Sequence, residues 1–400
     1  MIIESLLDCD LYKITMLRVY FHRFPNVSAR FEFKCRTPDI VFTKEMIAEI
    51  SDEIDNLCSL RFKEDELKWI YDLYYMRERS AGFIEFLRMY KLNRDYIRIE
   101  ENPFRIYAQG PIFQSSMFEI FVLAIVNEVY YKHSGFSDGT VLKDGLERLD
   151  KKIELLKKHP ILFADFGTRR RFSKLWQERV MEKLNSQLPR SVFGGSSNMF
   201  FAKKYKMPAI GTFAHEFVQL GQALDSVTLA SSQKNQFQVW ADEYRASLGT
   251  CLSDCLGFDY FLKDFDKYFA NLFDGVRQDS GDPYECGRKL IEHYKKCKID
   301  PLTKTLCFSD SLNIESAIKL NEYFKDKIKV SFGIGTNITN DVGLPQLNIV
   351  FKMTEANKKP VAKLSDTPEK MMCGDLSYVR YLRETIEREL SRDKQKQNFV

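Results

Sequence analysis

His215 is one of only five histidines in the 400-residue chain, and it stands with Glu216 just after the β-favouring run Pro208 to Gly211. An imidazole in that setting could act as a general base. It could also attack directly, since no serine or cysteine motif lies close by for it to activate. A lone histidine is more often structural, and position alone leaves the readings level. The run Arg169-Arg170-Arg171 follows Asp165-Phe166-Gly167 and offers guanidinium forks for a phosphate or a carboxylate. The plainer reading is a solvated helix start, with at least one of the three arginines taking no part in binding. Asp279-Ser280-Gly281-Asp282-Pro283 sets turn residues ahead of a helix start. Its amides could hold an anion, its carboxylates could hold magnesium through a phosphorylated substrate, or it could simply cap. Gly333-Ile334-Gly335-Thr336 is glycine-rich enough for backbone amides to close on a phosphate, a weak signal when taken alone.

These residues matter only if the fold gathers them. After residue 130, short β-branched or aromatic runs end in Gly, Ser, Asp or Arg clusters and alternate with helix-like segments. Eight such runs can be drawn: Ile161 to Ala164, Ser191 to Phe193, Pro208 to Gly211, Leu248 to Leu252, Phe273 to Val276, Thr305 to Phe308, Ile328 to Phe332 and Leu347 to Phe351. That number predicts a closed parallel barrel, a fold of about 250 residues with its active site on the loops after the strands. An open doubly wound sheet is the alternative, and it too would carry polar loops at its carboxyl ends.

The first 130 residues read as a mixed α/β domain. Ala29, Phe31, Phe33 and Cys35 alternate with charged residues, which predicts a half-buried strand. Met46, Ile47, Ile50, Ile54 and Leu57 line one face of a helix, and a Glu-Asn-Pro turn joins Ile97 to Ile99 with Phe104 to Tyr107 as a hairpin. Ser116 and Glu119 have capping-box spacing ahead of a buried helix running to about Tyr130. The expected domains are therefore residues 1–130, joined by the terminal segment 366–400, and a barrel over 131–365.

Composition excludes several function classes. Sixty lysines and arginines balance 56 acids for a net charge of +4, spread without a basic stripe or tail, so nucleic acid is not an expected partner. Nine cysteines without a C-x-x-C read as free thiols of a reducing cytoplasm, and Cys251 with Cys255 lacks the second pair a structural zinc would need. The start, Met1 to Asp8, has early acids and no basic n-region, which argues against export. The most apolar window, Met117 to Val126, contains Glu119 and is about half of a membrane span.

Taken together, the motifs resemble the nicotinate phosphoribosyltransferase family across nearly the whole chain. The marks are Leu7-Asp8-Cys9-Asp10-Leu11-Tyr12-Lys13, DFGTRRRFS from Asp165, GTFAHE from Gly211, RQDSGDP from Arg277, FSD from Phe308, SFGIGT from Ser331 and PVAKLSD from Pro360, in the family's order. The resemblance implies the irregular (β/α)8-type barrel of type II phosphoribosyltransferases with a mixed α/β N-terminal domain. It implies an ATP-dependent ligase that joins nicotinate to 5-phosphoribosyl 1-pyrophosphate, in salvage toward NAD, through a phosphohistidine at His215. Asp254 is expected to fix the His215 tautomer. Tyr12, Phe166, Arg169, Ser196, Thr212, Arg277, Asp279 and Ser280 are implied around the substrates, with Ser309, Asp310, Gly333, Gly335 and Thr336 cradling the phosphoribosyl group. Phe166 would stack on the pyridine ring, opposite a Tyr12 from the neighbouring subunit of a homodimer. Magnesium would arrive with the phosphorylated substrates, not in a site held by protein alone.

Nicotinamide-using relatives are the nearer alternative. They would place an acid on the second loop, and Gly194-Gly195-Ser196-Ser197-Asn198 has none, so a carboxylate substrate is preferred. A phosphate-binding barrel lyase or isomerase, with His215 as base, is a rival that predicts no ATP use. A silent binding protein ranks last because every loop keeps its polar residues.

Overall fold

Strict alternation shapes the first sheet. The computed structural model describes residues 1–78, 80–135, 138–245, 247–364 and 373–397. Strand β1 (Ser28–Cys35) pairs antiparallel with β3 (Phe104–Pro111), which pairs in turn with β2 (Ile97–Glu101) across the predicted hairpin. The helix Lys44–Ser59 buries Met46, Ile47, Ile50, Ile54 and Leu57, as its spacing requires.

The second sheet is parallel. It contains β4 (Phe163–Asp165), β5 (Phe193–Ser196), β6 (Thr250–Leu252), β7 (Gly275–Gln278), β8 (Thr305–Phe308) and β9 (Lys329–Ile334), in the order β5-β4-β9-β8-β7-β6. Helices separate successive strands, as parallel connections demand. Six of the eight predicted runs fall on these strands. The run Pro208 to Gly211 makes only an isolated parallel bridge, Ala209 to Ser196. On its other side, the Thr212 hydroxyl donates to the Thr250 carbonyl at 2.7 Å, tying this segment to β6.

The eighth run is a correction. Leu347 to Phe351 leads into β10 (Ile349–Ala356), which joins the antiparallel sheet beside β1, with β11 (Lys359–Pro360) at its edge. The reason is its period: Ile349, Phe351 and Met353 are buried while Val350 and Lys352 are only partly so, and one-sided burial belongs to an antiparallel sheet. The chain is thus a mixed α/β protein with an N-terminal antiparallel unit and a parallel sheet.

Helix Phe118–His133 runs through the centre, packed on the helix Lys44–Ser59 and on β10. The stretch Ile112–His133 is long and apolar enough to cross a membrane, twice the window expected, yet 89% of its span-length window is buried inside the fold. Core packing accounts for its composition.

The Ser116/Glu119 capping box does not form. Met117 is the N-cap and no side chain caps it. Ser116 and Glu119 instead turn to buried charges, described below. The terminal helix Leu376–Gln397 follows Pro360-Val361-Ala362-Lys363-Leu364, while Ser365 and Asp366 of that motif lie outside the described residues.

Candidate active site

The loops that leave the carboxyl ends of the parallel strands meet at one cavity of about 750 Å3, with β1 and β10 forming its other wall. Phe166 and Arg169 come from the loop after β4, Arg277 and Asp279 from the end of β7, Ser309 and Asp310 from the loop after β8, and Gly333, Gly335 and Thr336 from β9 and its exit. His215 lines the same space. Among the lining side chains, Lys34, Arg36, Arg169, Arg170, Arg277, Lys352 and Lys363 outnumber Glu119, Asp279 and Asp310. The cavity is built to receive anions.

His215 opens a six-residue helix, His215–Leu220. Phe213 and Phe217 pack on Trp240 at ring-centroid distances of 4.8 and 5.4 Å, which fixes where that helix begins. The His215 Nε2 lies 2.9 Å from Asp254 Oδ1. Asp254 Oδ2 accepts from Ser280 Oγ and from Lys363 Nζ, each at 2.6 Å. Burial pushes the Asp254 carboxyl up, but His215 and Lys363 outweigh it and hold the group well below the usual carboxylate range. An ionised carboxylate only accepts, so Nε2 carries the proton and Nδ1 the lone pair. Burial, helped by the charge of Lys363, pulls the imidazole down to about 4 in spite of Asp254. It is therefore neutral at physiological pH, the state a nucleophile needs.

Arg277 is held from two sides. Its Nε donates to Ser309 Oγ at 2.8 Å and its Nη2 to Asp279 Oδ1 at 3.1 Å, while its guanidinium lies 5.5 Å from the centre of the Phe166 ring. Asp279 also comes within 3.9 Å of His215. Burial raises Asp279, yet Arg277 and His215 bring it below the ordinary carboxylate range. Gly333 is tight against Phe166: a Cβ there would sit 2.2 Å from the ring. Asp282 is the N-cap of helix Pro283–Lys296 and accepts from Glu285 N at 2.7 Å, so of the two carboxylates in that motif only Asp279 faces the cavity.

Tyr12, Ser196, Thr212, Asp254 and Ser280 do not line the cavity. Ser280 and Asp254 sit behind His215, as described. Ser196 Oγ donates to Asp165 Oδ2 at 2.7 Å, and burial lifts that carboxyl to about 6. Thr212 ties its segment to β6. Tyr12 is 7% exposed and lies against Gly211 of its own chain.

The arginine run differs from its expected helix start. Ser173, not an arginine, caps the helix Lys174–Gln187. Arg171 is fully buried and forks onto Asp8 at 2.7 and 2.9 Å. Asn198 Nδ2 donates to the same Asp8 at 2.8 Å, and Ser197 Oγ to Asp10 at 2.7 Å. The N-terminal motif thus clamps the loops after β4 and β5 together.

Sequence reasoning missed Lys352, Lys363, Arg36 and Glu119. Lys363 stood in a quoted motif without a role. Lys352 had no signal beyond being the polar member of an alternating strand. Burial draws its amine down to about 8, with Glu119 opposing that shift.

The chemistry on view is a neutral, tautomer-fixed imidazole opening on a cation-rich cavity at the ends of parallel strands. This defines an α/β enzyme of phosphorylated, anionic substrates. Residues 161–390 match the nicotinate phosphoribosyltransferase (NAPRTase) family and residues 7–127 match its N-terminal domain, so the chain belongs to the nicotinate phosphoribosyltransferase family. The nicotinate phosphoribosyltransferase of Acinetobacter baylyi is 45% identical over 400 residues, covering 96% of this chain and 97% of its own. That of Chromobacterium violaceum is 46% identical over 398 residues, covering 96% and 97%. Among solved structures, the nicotinate phosphoribosyltransferase from Porphyromonas gingivalis superposes with a TM-score of 0.91 at 32% identity, covering 96% of this chain and 100% of that one. The one from Vibrio cholerae gives 0.88 at 33% identity, covering 99% and 98%.

Proposed function

We propose that this chain joins nicotinate to 5-phosphoribosyl 1-pyrophosphate, yielding nicotinate mononucleotide and pyrophosphate for NAD salvage, with ATP hydrolysed through a phosphate carried on His215. One observation carries the ATP step: the His215 ring, neutral and held through Nε2 by Asp254, opens on the same cavity as Phe166 and Arg277. The Nδ1 lone pair attacks the γ-phosphorus of ATP, the bond to the β-γ bridging oxygen breaks, and ADP leaves. Asp254 stabilises the ring cation that forms, with Ser280 and Lys363 keeping the carboxylate in place.

Phe166 stacks on the pyridine ring, and Arg277, whose guanidinium lies 5.5 Å from the centre of the Phe166 ring, receives the nicotinate carboxylate. Arg169 takes part in holding the leaving pyrophosphate. Ser309, Asp310, Gly333, Gly335 and Thr336 cradle the ribose and its 5-phosphate. Asp279 and Asp310 offer hard oxygen donors, which fits magnesium entering with the phosphorylated substrates. Positive charge grows at the sugar carbon as pyrophosphate departs, and the pyridine nitrogen closes on it from the Phe166 side.

The bridge from Ala209 to Ser196 and the Thr212 contact with Thr250 support reading the parallel sheet as part of an irregular barrel. A cytoplasmic homodimer remains part of this reading. Within its own chain Tyr12 is 7% exposed, with Lys13 Nζ 5.6 Å from its ring centre.

The test is incubation with γ-labelled ATP. Acid-labile, base-stable label is expected on the wild type and absent from His215→Ala. Label surviving in that variant would move the nucleophile elsewhere, and turnover of nicotinamide in preference to nicotinate would overturn the substrate.

A further inference from the structure

Beneath the cavity lies a buried group of charges that the reaction so far leaves idle. The Lys13 ammonium is 2.8 Å from Glu119 Oε2 and 2.6 Å from Glu216 Oε2, and it donates to Ser116 Oγ at 3.3 Å. Glu216 is the residue after His215. Its other oxygen accepts from Ser116 Oγ and, at 3.3 Å, from the Tyr20 hydroxyl. Glu119 reaches the opposite way and lines the cavity, with Oε1 at 3.5 Å from both Arg169 Nη1 and Lys352 Nζ. Two carboxylates therefore share one lysine, and none of the three side chains is more than 5% exposed. Burying such a group is weak support for stability, because packed apolar side chains would hold the fold as well.

We infer that Glu119, Lys13 and Glu216 form a positioning relay that links filling of the anion cavity to the setting of His215. This rests on the proposed phosphohistidine step. The contacts of Glu119 with Arg169 and Lys352 are long for charge-assisted hydrogen bonds, which run at about 2.7–2.9 Å. Glu119 therefore holds those two cations only loosely, which lets them turn to phosphate oxygens. Once they do, Lys13 is the one close cation left to Glu119. Lys13 is then drawn toward Glu119 and slackens its hold on Glu216, and the first turn of the His215 helix re-seats. Linkage makes the effect reciprocal: whatever His215 gains from a filled cavity, the anionic sugar regains in affinity when His215 is phosphorylated.

Glu119→Gln tests the relay, since it removes the charge that Arg169 and Lys352 compete for and leaves Lys13 matched to Glu216. The full-length enzyme is assayed for His215 phosphorylation by labelled ATP, with and without 5-phosphoribosyl 1-pyrophosphate, and for ATP hydrolysed per mononucleotide formed. In the wild type the sugar pyrophosphate alters the phosphorylation rate, and in Glu119→Gln that response shrinks by about fivefold or more, the low end of ordinary allosteric coupling. ATP hydrolysed per product rises in step, and Glu119→Asp recovers part of the response. Should Glu119→Gln fail to fold, Tyr20→Phe carries the test by loosening Glu216 from its far side, with a smaller shift of the same ratio. A wild type that takes no label sinks the phosphohistidine reading itself. A wild type that labels, beside a folded variant with an unchanged response, sinks the relay alone.

Discussion

The Nε2 of His215 faces Oδ1 of Asp254 at 2.9 Å, and the other oxygen of that carboxylate is filled by Ser280 and Lys363. A carboxylate so occupied can serve the imidazole in one tautomer only. Asp254→Asn replaces it with an amide whose oxygen or NH2 can face the ring, so the tautomer is no longer fixed and the forming cation loses its counter-charge. Labelled phosphate should accumulate on His215 about 10²- to 10⁴-fold more slowly. Rapid-quench labelling measures this, and a rate within twofold of the wild type would take Asp254 out of the mechanism.

Gly333 sits against Phe166 so closely that a methyl group would lie 2.2 Å from the ring. Gly333→Ala must therefore push the proposed stacking surface aside. The KM for nicotinate is expected to rise by about tenfold or more, the worth of one aromatic contact with its positioning. His215 labelling by ATP is the comparison, because a general collapse of the site would slow labelling as well as raise the KM.

Much of this site was legible in the sequence, because loops after parallel strands collect function and their residue types announce it. Place after a β-favouring run made His215, Asp279 and the Gly333 loop candidates with their plainer readings still open, and the role of Arg277 came from the family resemblance. The two sheets were harder to tell apart. Leu347 to Phe351 looks like any buried strand, and only its partner β1, more than 300 residues away in the chain, makes it antiparallel. Ser116 and Glu119 carry a valid capping spacing, yet Lys13 and Glu216 draw them off, and no local pattern encodes a contact of that range. The sequence could not single out Arg171 among the three arginines for the same reason. Its partner Asp8 is 163 residues away in the chain.

That pairing predicts stability. Arg171 and Asp8 are both fully buried, and Asp8→Ala leaves a guanidinium without its counter-ion. The expected cost is about 3–5 kcal/mol, read from the urea midpoint with an unchanged slope. Asp8→Ala combined with Arg171→Met removes both charges and should recover part of the loss. A double variant weaker than the sum of the two singles would contradict the pairing.

The cavity's response to pH should come from Lys352. Burial pulls its amine down to about 8, Arg169 and Lys363 add to that, and Glu119 opposes them. The amine is charged below that pH and neutral above it, so one cation leaves the anion-binding wall as pH rises through about 8. His215 lies at about 4 and stays neutral from pH 5 upward, adding no limb in this range. The KM for 5-phosphoribosyl 1-pyrophosphate should therefore climb between about pH 7.5 and 9, by about tenfold, the value of one charge-assisted contact. Lys352→Arg keeps its charge across the range and should flatten that limb. If the limb persists in the arginine variant, the titrating group is another one. If it is missing from the wild type, Lys352 does not touch the substrate phosphates.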